Sequence, residues 1–164
     1  MGRRRIRYEN ILKKYFGYDK LKDIQYKIID NILKKNRDVC AILATGFGKS
    51  LCYQLPFLIA DECVIVISPL IALMEDQVET LRSLNIPVCC LNSNNKYKNR
   101  EKGQILNENY KIIYMTPEYL VKSQDFIEEL YEDHGICCFA IDECHCISTW
   151  SDVSFRPEYK NLKL

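Results

Sequence analysis

No apolar run in this sequence approaches the ~20 residues that a bilayer-spanning helix needs, which argues against a membrane protein. Net charge is also missing. With 23 basic and 22 acidic side chains the formal charge is +1, so no global field announces a nucleic-acid partner. There is no secretory leader, internal repeat, linker or low-complexity tract. Cysteine is not scarce, but metal-site spacing is absent: the nine thiols include the adjacent pairs Cys89-Cys90 and Cys137-Cys138, set in apolar runs. Cys144 and Cys146 bracket His145, a trio that could hold a stray metal but lacks a C-x₂₋₄-C repeat. An odd cysteine count without a leader points to a reducing compartment, with cysteine used as a small buried apolar residue. The protein is therefore expected to be soluble and intracellular, in nucleus or cytoplasm, and not secreted.

One local charge cluster stands out, Arg3-Arg4-Arg5 with Arg7. It could touch phosphate or serve as a nuclear address; the expectation is a solvated, flexible N-terminus over residues 1–7. Residues 8–164 then form one lobe. With 48% hydrophobic residues the chain can bury a core. Short β-branched runs at 39–43, Cys63–Ile67, Val88–Leu91, 111–115 and Ile136–Ile141 read as strands. Between them, 23–35 carries Ile24, Ile28, Ile29, Ile32 and Leu33 on one helical face, with Asp23 as N-cap. The stretch 72–84 does the same with Leu73, Met74, Val78 and Leu81. Strands alternating with helices predict an α/β fold, a parallel sheet with helices on both faces in three layers. The stretch 92–98 reads as a loop.

After the run at 39–43 comes Ala44-Thr45-Gly46-Phe47-Gly48-Lys49-Ser50, and Ser50-Leu51 opens a helical pattern. A strand, a glycine-bearing turn and a helix start aim several backbone N–H groups at one point, where an anion is favoured. Gly46 and Gly48 let the backbone curl around phosphate, Lys49 pairs with β- and γ-phosphate oxygens, and the Ser50 hydroxyl ligates Mg²⁺. Leu43 breaks the first position of the G-x-x-x-x-G-K-S pattern, leaving the T-G-x-G-K-S variant. Phe47 reads as a side chain tolerated on the outer surface of the loop. The run Ile136–Ile141 delivers Asp142-Glu143 at its C-terminal end, the sheet edge where ligands bind in open parallel sheets. Asp142 would hold Mg²⁺ through water, Glu143 would polarise the attacking water, and His145 would report the state of the γ-phosphate to a neighbouring element.

These residues, taken in order, resemble RecQ-type DNA helicases, with Ala44 nearest to Werner-type members. Phe16-Gly17-Tyr18, Leu21-Lys22 and Gln25 look like the adenine-recognition motif, and Thr45 through Pro56 like the first ATPase motif. Ser68-Pro69-Leu70-Ile71-Ala72-Leu73-Met74-Glu75-Asp76-Gln77 and Thr116-Pro117-Glu118 are similar to the motifs that follow. Asp142-Glu143-Cys144-His145 with Trp150 and Phe155-Arg156-Pro157 resembles the second ATPase motif and its aromatic-rich loop. The likeness covers the chain after residue 10. It implies a RecA-like, P-loop lobe of an ATP-dependent 3′–5′ DNA helicase, acting on single-stranded or forked DNA in repair and recombination, with ATP and Mg²⁺ as cofactors. Tyr18 would stack on adenine and Gln25 bond its edge. Lys22 stands where the family has Arg, which keeps the charge without the planar face. The nucleotide would lie against Thr45 through Leu51. Ser68, Pro69, Thr116 and Pro117 would touch DNA phosphates. Trp150, Phe155 and Arg156 would sense DNA, unless Trp150 is simply a half-buried core residue.

Two departures from the family pattern matter. Between Trp150 and Phe155 stand Ser151-Asp152-Val153-Ser154, one residue more than usual and without the family's Gly and His. The family's first lobe also continues to a strand with a Ser/Thr-Ala-Thr motif, between the P-loop strand and the Asp-Glu strand, and then to a second lobe with an arginine finger; neither lies within these 164 residues. The lobe is thus expected to be incomplete at its C-terminus, with little or no activity as an isolated chain and marginal stability. Two other readings stay open: a remnant that binds ATP, DNA or a partner without turnover, and a small-molecule P-loop kinase. The kinase reading leaves Gln25, His145 and 68–77 unexplained.

Overall fold

The structure is a computed structural model that describes residues 2–35, 37–92, 102–103, 105–107 and 110–144. The candidates His145, Trp150, Phe155 and Arg156, and most of the loop expected at 92–98, lie outside the described residues. In chain order the elements are α1 (Arg3–Phe16), α2 (Asp23–Lys34), α3 (Lys49–Gln54), α4 (Pro56–Ala60), β1 (Cys63–Ile67), α5 (Ile71–Ser83) and β2 (Val88–Leu91). Then follow β3 (Ile112–Met115), α6 (Pro117–Val121), α7 (Gln124–His134) and β4 (Ile136–Ile141). The strands pair in parallel in the order β2-β3-β1-β4.

β1 is the centre of the molecule, and all five of its residues are buried. Because side chains alternate across a strand, Cys63, Ile65 and Ile67 face one layer, with Ile113, Met115, Leu120, Phe126 and Leu130. Val64 and Val66 face the other, with Tyr53, Phe57, Met74, Val78 and Leu81. The expected three-layer parallel sheet is what forms, with α6 and α7 on one face and α3 to α5 on the other. A third cluster joins α1 and α2 to α3 through Tyr8, Leu12, Leu21, Ile29, Leu51 and Leu55.

Three sequence expectations need correction. The run at 39–43 carries no strand, and Ile42 is 96% exposed. It lines a cleft of about 1100 Å³ together with β4 residues 137–141, and no described strand stands between the two to take their hydrogen bonds. A strand without a partner gains too little to stay ordered as one. The arginine tip is not loose: from Arg3 onward it is helical. Arg5 reaches Glu9 at 3.0 Å, Asp23 at 2.6 Å and the Leu21 carbonyl at 2.7 Å, and Arg7 donates to the Ile59 carbonyl at 3.2 Å. Those partners hold the guanidinium groups as clamps between α1, α2 and α4. Finally, Asp23 is the first helical residue of α2 and not its cap, since its carboxylate is taken by Arg5 and residue 22 is the N-cap.

Candidate functional site

Parallel strands put their C-terminal ends on one edge, and the segments leaving the sheet there include Ser68-Pro69 after β1, Thr116-Pro117 after β3, and Asp142-Glu143 after β4. The ladder runs one residue past β4, with the Asp142 N–H donating to the Ile67 carbonyl at 2.9 Å. Glu143 then turns sharply with φ +52°, a left-handed conformation that costs a non-glycine residue ~1–2 kcal/mol. Its N–H donates to Asp142 Oδ1 at 3.0 Å.

Opposite lies the loop 44–48. The Phe47 N–H donates to the Ala44 carbonyl at 3.2 Å, and Gly46 and Gly48 take φ of +74° and +87°. α3 begins at Lys49 with Gly48 as its N-cap, so the loop runs straight into a helix N-terminus. Lys49 Nζ lies 3.6 Å from Glu143 Oε1, with both side chains about a third exposed or less in round terms (37% and 28%). Lys49 and the carboxylate pair therefore meet across one site, although they come from opposite ends of the chain. Ser50 and Asp142 offer a hydroxyl and a carboxylate, the hard oxygen donors that suit Mg²⁺. The Tyr53 hydroxyl donates to Asp142 Oδ2 at 3.0 Å, and Tyr53 stands three residues after Ser50 on α3, so the two oxygen donors flank one side chain. Among the described residues no group of three or more His, Cys, Asp or Glu could hold a metal.

The adenine-motif residues serve the loop. Gln25 is buried; its Nε2 lies 3.2 Å from the Gly48 carbonyl and 3.4 Å from that of Phe47, while its Oε1 accepts from the Lys22 N–H at 3.0 Å. Its amide is thus committed to the loop in this structure and not free for a base edge. Lys22 Nζ donates to the Phe47 carbonyl at 2.9 Å and sits 4.1 Å from the centre of the Phe47 ring. Phe47 is accordingly engaged, not simply outward-facing. Tyr18 follows the left-handed Gly17 that ends α1 and is 61% exposed, open to a stacking partner. The Leu51 side chain is buried against α1 and α2, which leaves only its backbone toward the loop.

Of the residues expected to meet DNA, the described ones, Ser68, Pro69, Thr116 and Pro117, share the carboxyl edge but are buried. Ser68 is 1% exposed, and its hydroxyl has no hydrogen-bond partner among the described residues. Thr116 accepts from the Tyr119 N–H at 3.4 Å and so caps α6. The 1100 Å³ cleft touches Lys49, Asp142 and Glu143 but not Tyr18, Lys22, Gln25 or residues 45–48, so it adjoins the candidate phosphate site and does not coincide with it.

Sequence reasoning passed over Tyr53. Its signal was available: Ser50 and Tyr53 stand at i and i+3 on α3, on one helical face.

The DEAD/DEAH box helicase profile matches residues 22–163. This chain belongs to that family. A putative ATP-dependent RNA helicase of Acanthamoeba polyphaga mimivirus, R290, is 45% identical over 94% of this chain and 28% of its own length. The mouse bifunctional 3′-5′ exonuclease/ATP-dependent helicase WRN is 43% identical over 93% of the chain and 11% of its length. The RecQ ATP-dependent DNA helicase of Synechocystis is 38% identical over 94% of the chain and 32% of its length. The chain thus spans a third or less of these relatives, and the RecQ and Werner-type likeness read from the motifs holds across most of it. The solved structure of the DUF1998 helicase MrfA bound to DNA and AMPPNP superposes with a TM-score of 0.67 at 24% identity, over 86% of this chain and 21% of that one. A hypothetical ATP-dependent RNA helicase of Sulfolobus tokodaii gives 0.64 at 18% identity, over 95% and 46%. Both share the fold.

Proposed function

We propose that this chain is the ATP-binding lobe of a helicase that couples ATP hydrolysis to 3′–5′ movement on single-stranded or forked DNA, within a cell's nucleus or cytoplasm. The observation that carries the reading is the meeting of Lys49 with Asp142-Glu143 at the carboxyl edge of a parallel sheet. An exposed ion pair of that length is worth little, so an arriving triphosphate can take Lys49 from Glu143 at small cost. With Lys49 drawn to the phosphates, the Glu143 carboxylate would orient water, while the amides of 46–50 receive phosphate oxygens. Mg²⁺, held by Ser50 and Asp142, would neutralise charge on the β- and γ-phosphates. Tyr18 is the exposed ring for adenine. Gln25 and Lys22 keep the loop in shape and reach the base only if their loop bonds rearrange. Ser68, Thr116 and their prolines would offer backbone amides to a strand of DNA, with Trp150, Phe155 and Arg156 adding contacts and His145 relaying the γ-phosphate state. A second lobe is required for hydrolysis and unwinding.

The test is nucleotide binding and hydrolysis by this chain, with and without single-stranded DNA. The expected result is binding that Lys49→Ala removes, with very weak or no hydrolysis and no unwinding. Retained binding in Lys49→Ala would refute the assignment of the phosphate site, and robust unwinding by this chain would refute the two-lobe requirement. RNA is the second reading, favoured by the name of the mimivirus relative. Titration with matched DNA and RNA strands decides between them.

A further inference from the structure

A row of polar side chains crosses the otherwise apolar layer beneath the site. Tyr53 and Tyr114 are buried to 8% and 1% exposure among Phe57, Val64, Val66 and Met74. Gln54 Nε2 donates to Tyr114 Oη at 3.0 Å and to Gln77 Oε1 on α5 at 3.0 Å. In the same layer the Tyr53 hydroxyl donates to Asp142 Oδ2 at 3.0 Å. Burying such groups costs free energy unless each finds a partner, and here each does.

Asp142 is thereby held at both oxygens, Oδ1 by the Glu143 N–H and Oδ2 by Tyr53. A carboxylate gripped in this way has lost its side-chain rotation before any ligand arrives, and such outer partners commonly set the affinity of a metal ligand. We propose that Tyr53 is a positioning residue: its hydroxyl presets the Asp142 carboxylate for the divalent cation that accompanies the nucleotide. This rests on the assignment of the site to Mg²⁺-nucleotide. The arrangement joins residues 89 apart in sequence and needs both helix α3 and strand β4 in place.

The test is the Mg²⁺ dependence of binding of a fluorescent ATP analogue, measured on the full chain as wild type, Tyr53→Phe and Tyr114→Phe. Tyr53→Phe should raise the Mg²⁺ concentration for half-maximal binding about 10-fold or more. Binding in EDTA should stay within roughly 2-fold, because no phosphate contact is lost. Tyr114→Phe removes an equally buried hydroxyl that does not touch Asp142; it should lower the melting temperature comparably and leave the Mg²⁺ midpoint near that of wild type. An unchanged Mg²⁺ midpoint in Tyr53→Phe overturns the proposal. So does a lower midpoint, which would mean that Tyr53 competes with the metal for Asp142. Equal shifts in both variants would reduce Tyr53 to a packing role. Wild type that binds no nucleotide, with or without Mg²⁺, overturns the site assignment itself and this inference with it.

Discussion

At the scale of the residue, the two loop glycines look alike in sequence and differ in surroundings. A Cβ on Gly46 would meet nothing within 4 Å, whereas one on Gly48 would lie 2.8 Å from Gln25 Nε2. Both have positive φ, which costs an L-residue ~1–2 kcal/mol. Gly46→Ala should therefore lower stability by about that amount, ~1–2 kcal/mol, and Gly48→Ala by more, because Gln25 must also leave the loop carbonyls. Urea unfolding of the two variants checks this; equal midpoints would show that Gln25 does not hold the loop. Gly46, Gly48, Lys49, Ser50, Asp142 and Glu143 could all be picked out as candidates from the string alone, since their spacing and their place after apolar runs are local features. The attachment of Gln25 and Lys22 to loop carbonyls could not, because it depends on how α2 docks against the loop more than 20 residues away.

At the scale of the element, α1 shows how a charge run can mislead. Four arginines near a chain end read as a solvated tip, yet Arg5 is spent on Glu9, Asp23 and the Leu21 carbonyl, and Glu9 is itself buried. Arg5→Ala should lower the denaturant midpoint clearly, by unfastening α1 from the start of α2 and leaving Glu9 with only the Leu21 N–H. Arg3→Ala, at an exposed position, should leave it unchanged. Equal effects of the two would return α1 to the loose tip the sequence suggested. The four paired strands were legible because each is a short apolar run, and β1, buried on both faces, is apolar throughout. The run at 39–43 has the same composition and fails as a strand for want of a neighbour.

At the scale of the molecule, β1 and β3 are flanked on both sides, while β4 presents an unpaired edge to the cleft among the described residues. Amide hydrogen exchange should therefore be slowest in β1 and β3, faster in β4, and fastest at 39–44, because unpaired backbone groups open without unfolding the core. Protection of β4 equal to that of β1 would mean that something covers its edge in solution. Among the described residues no helix is long and apolar enough to cross a membrane. The sequence by itself determined the class of fold and the strands β1 to β4, and marked the candidate phosphate loop and carboxylate pair, because periodicity and motif spacing are properties of neighbouring residues. Only the tertiary structure decided that 39–43 stands outside the sheet, that the arginines clamp helices, that Ser68 and Thr116 are buried, and that Tyr53 grips Asp142. Each of those depends on residues far apart in the chain meeting in space, and such meetings are set by packing of whole elements, which no local pattern encodes.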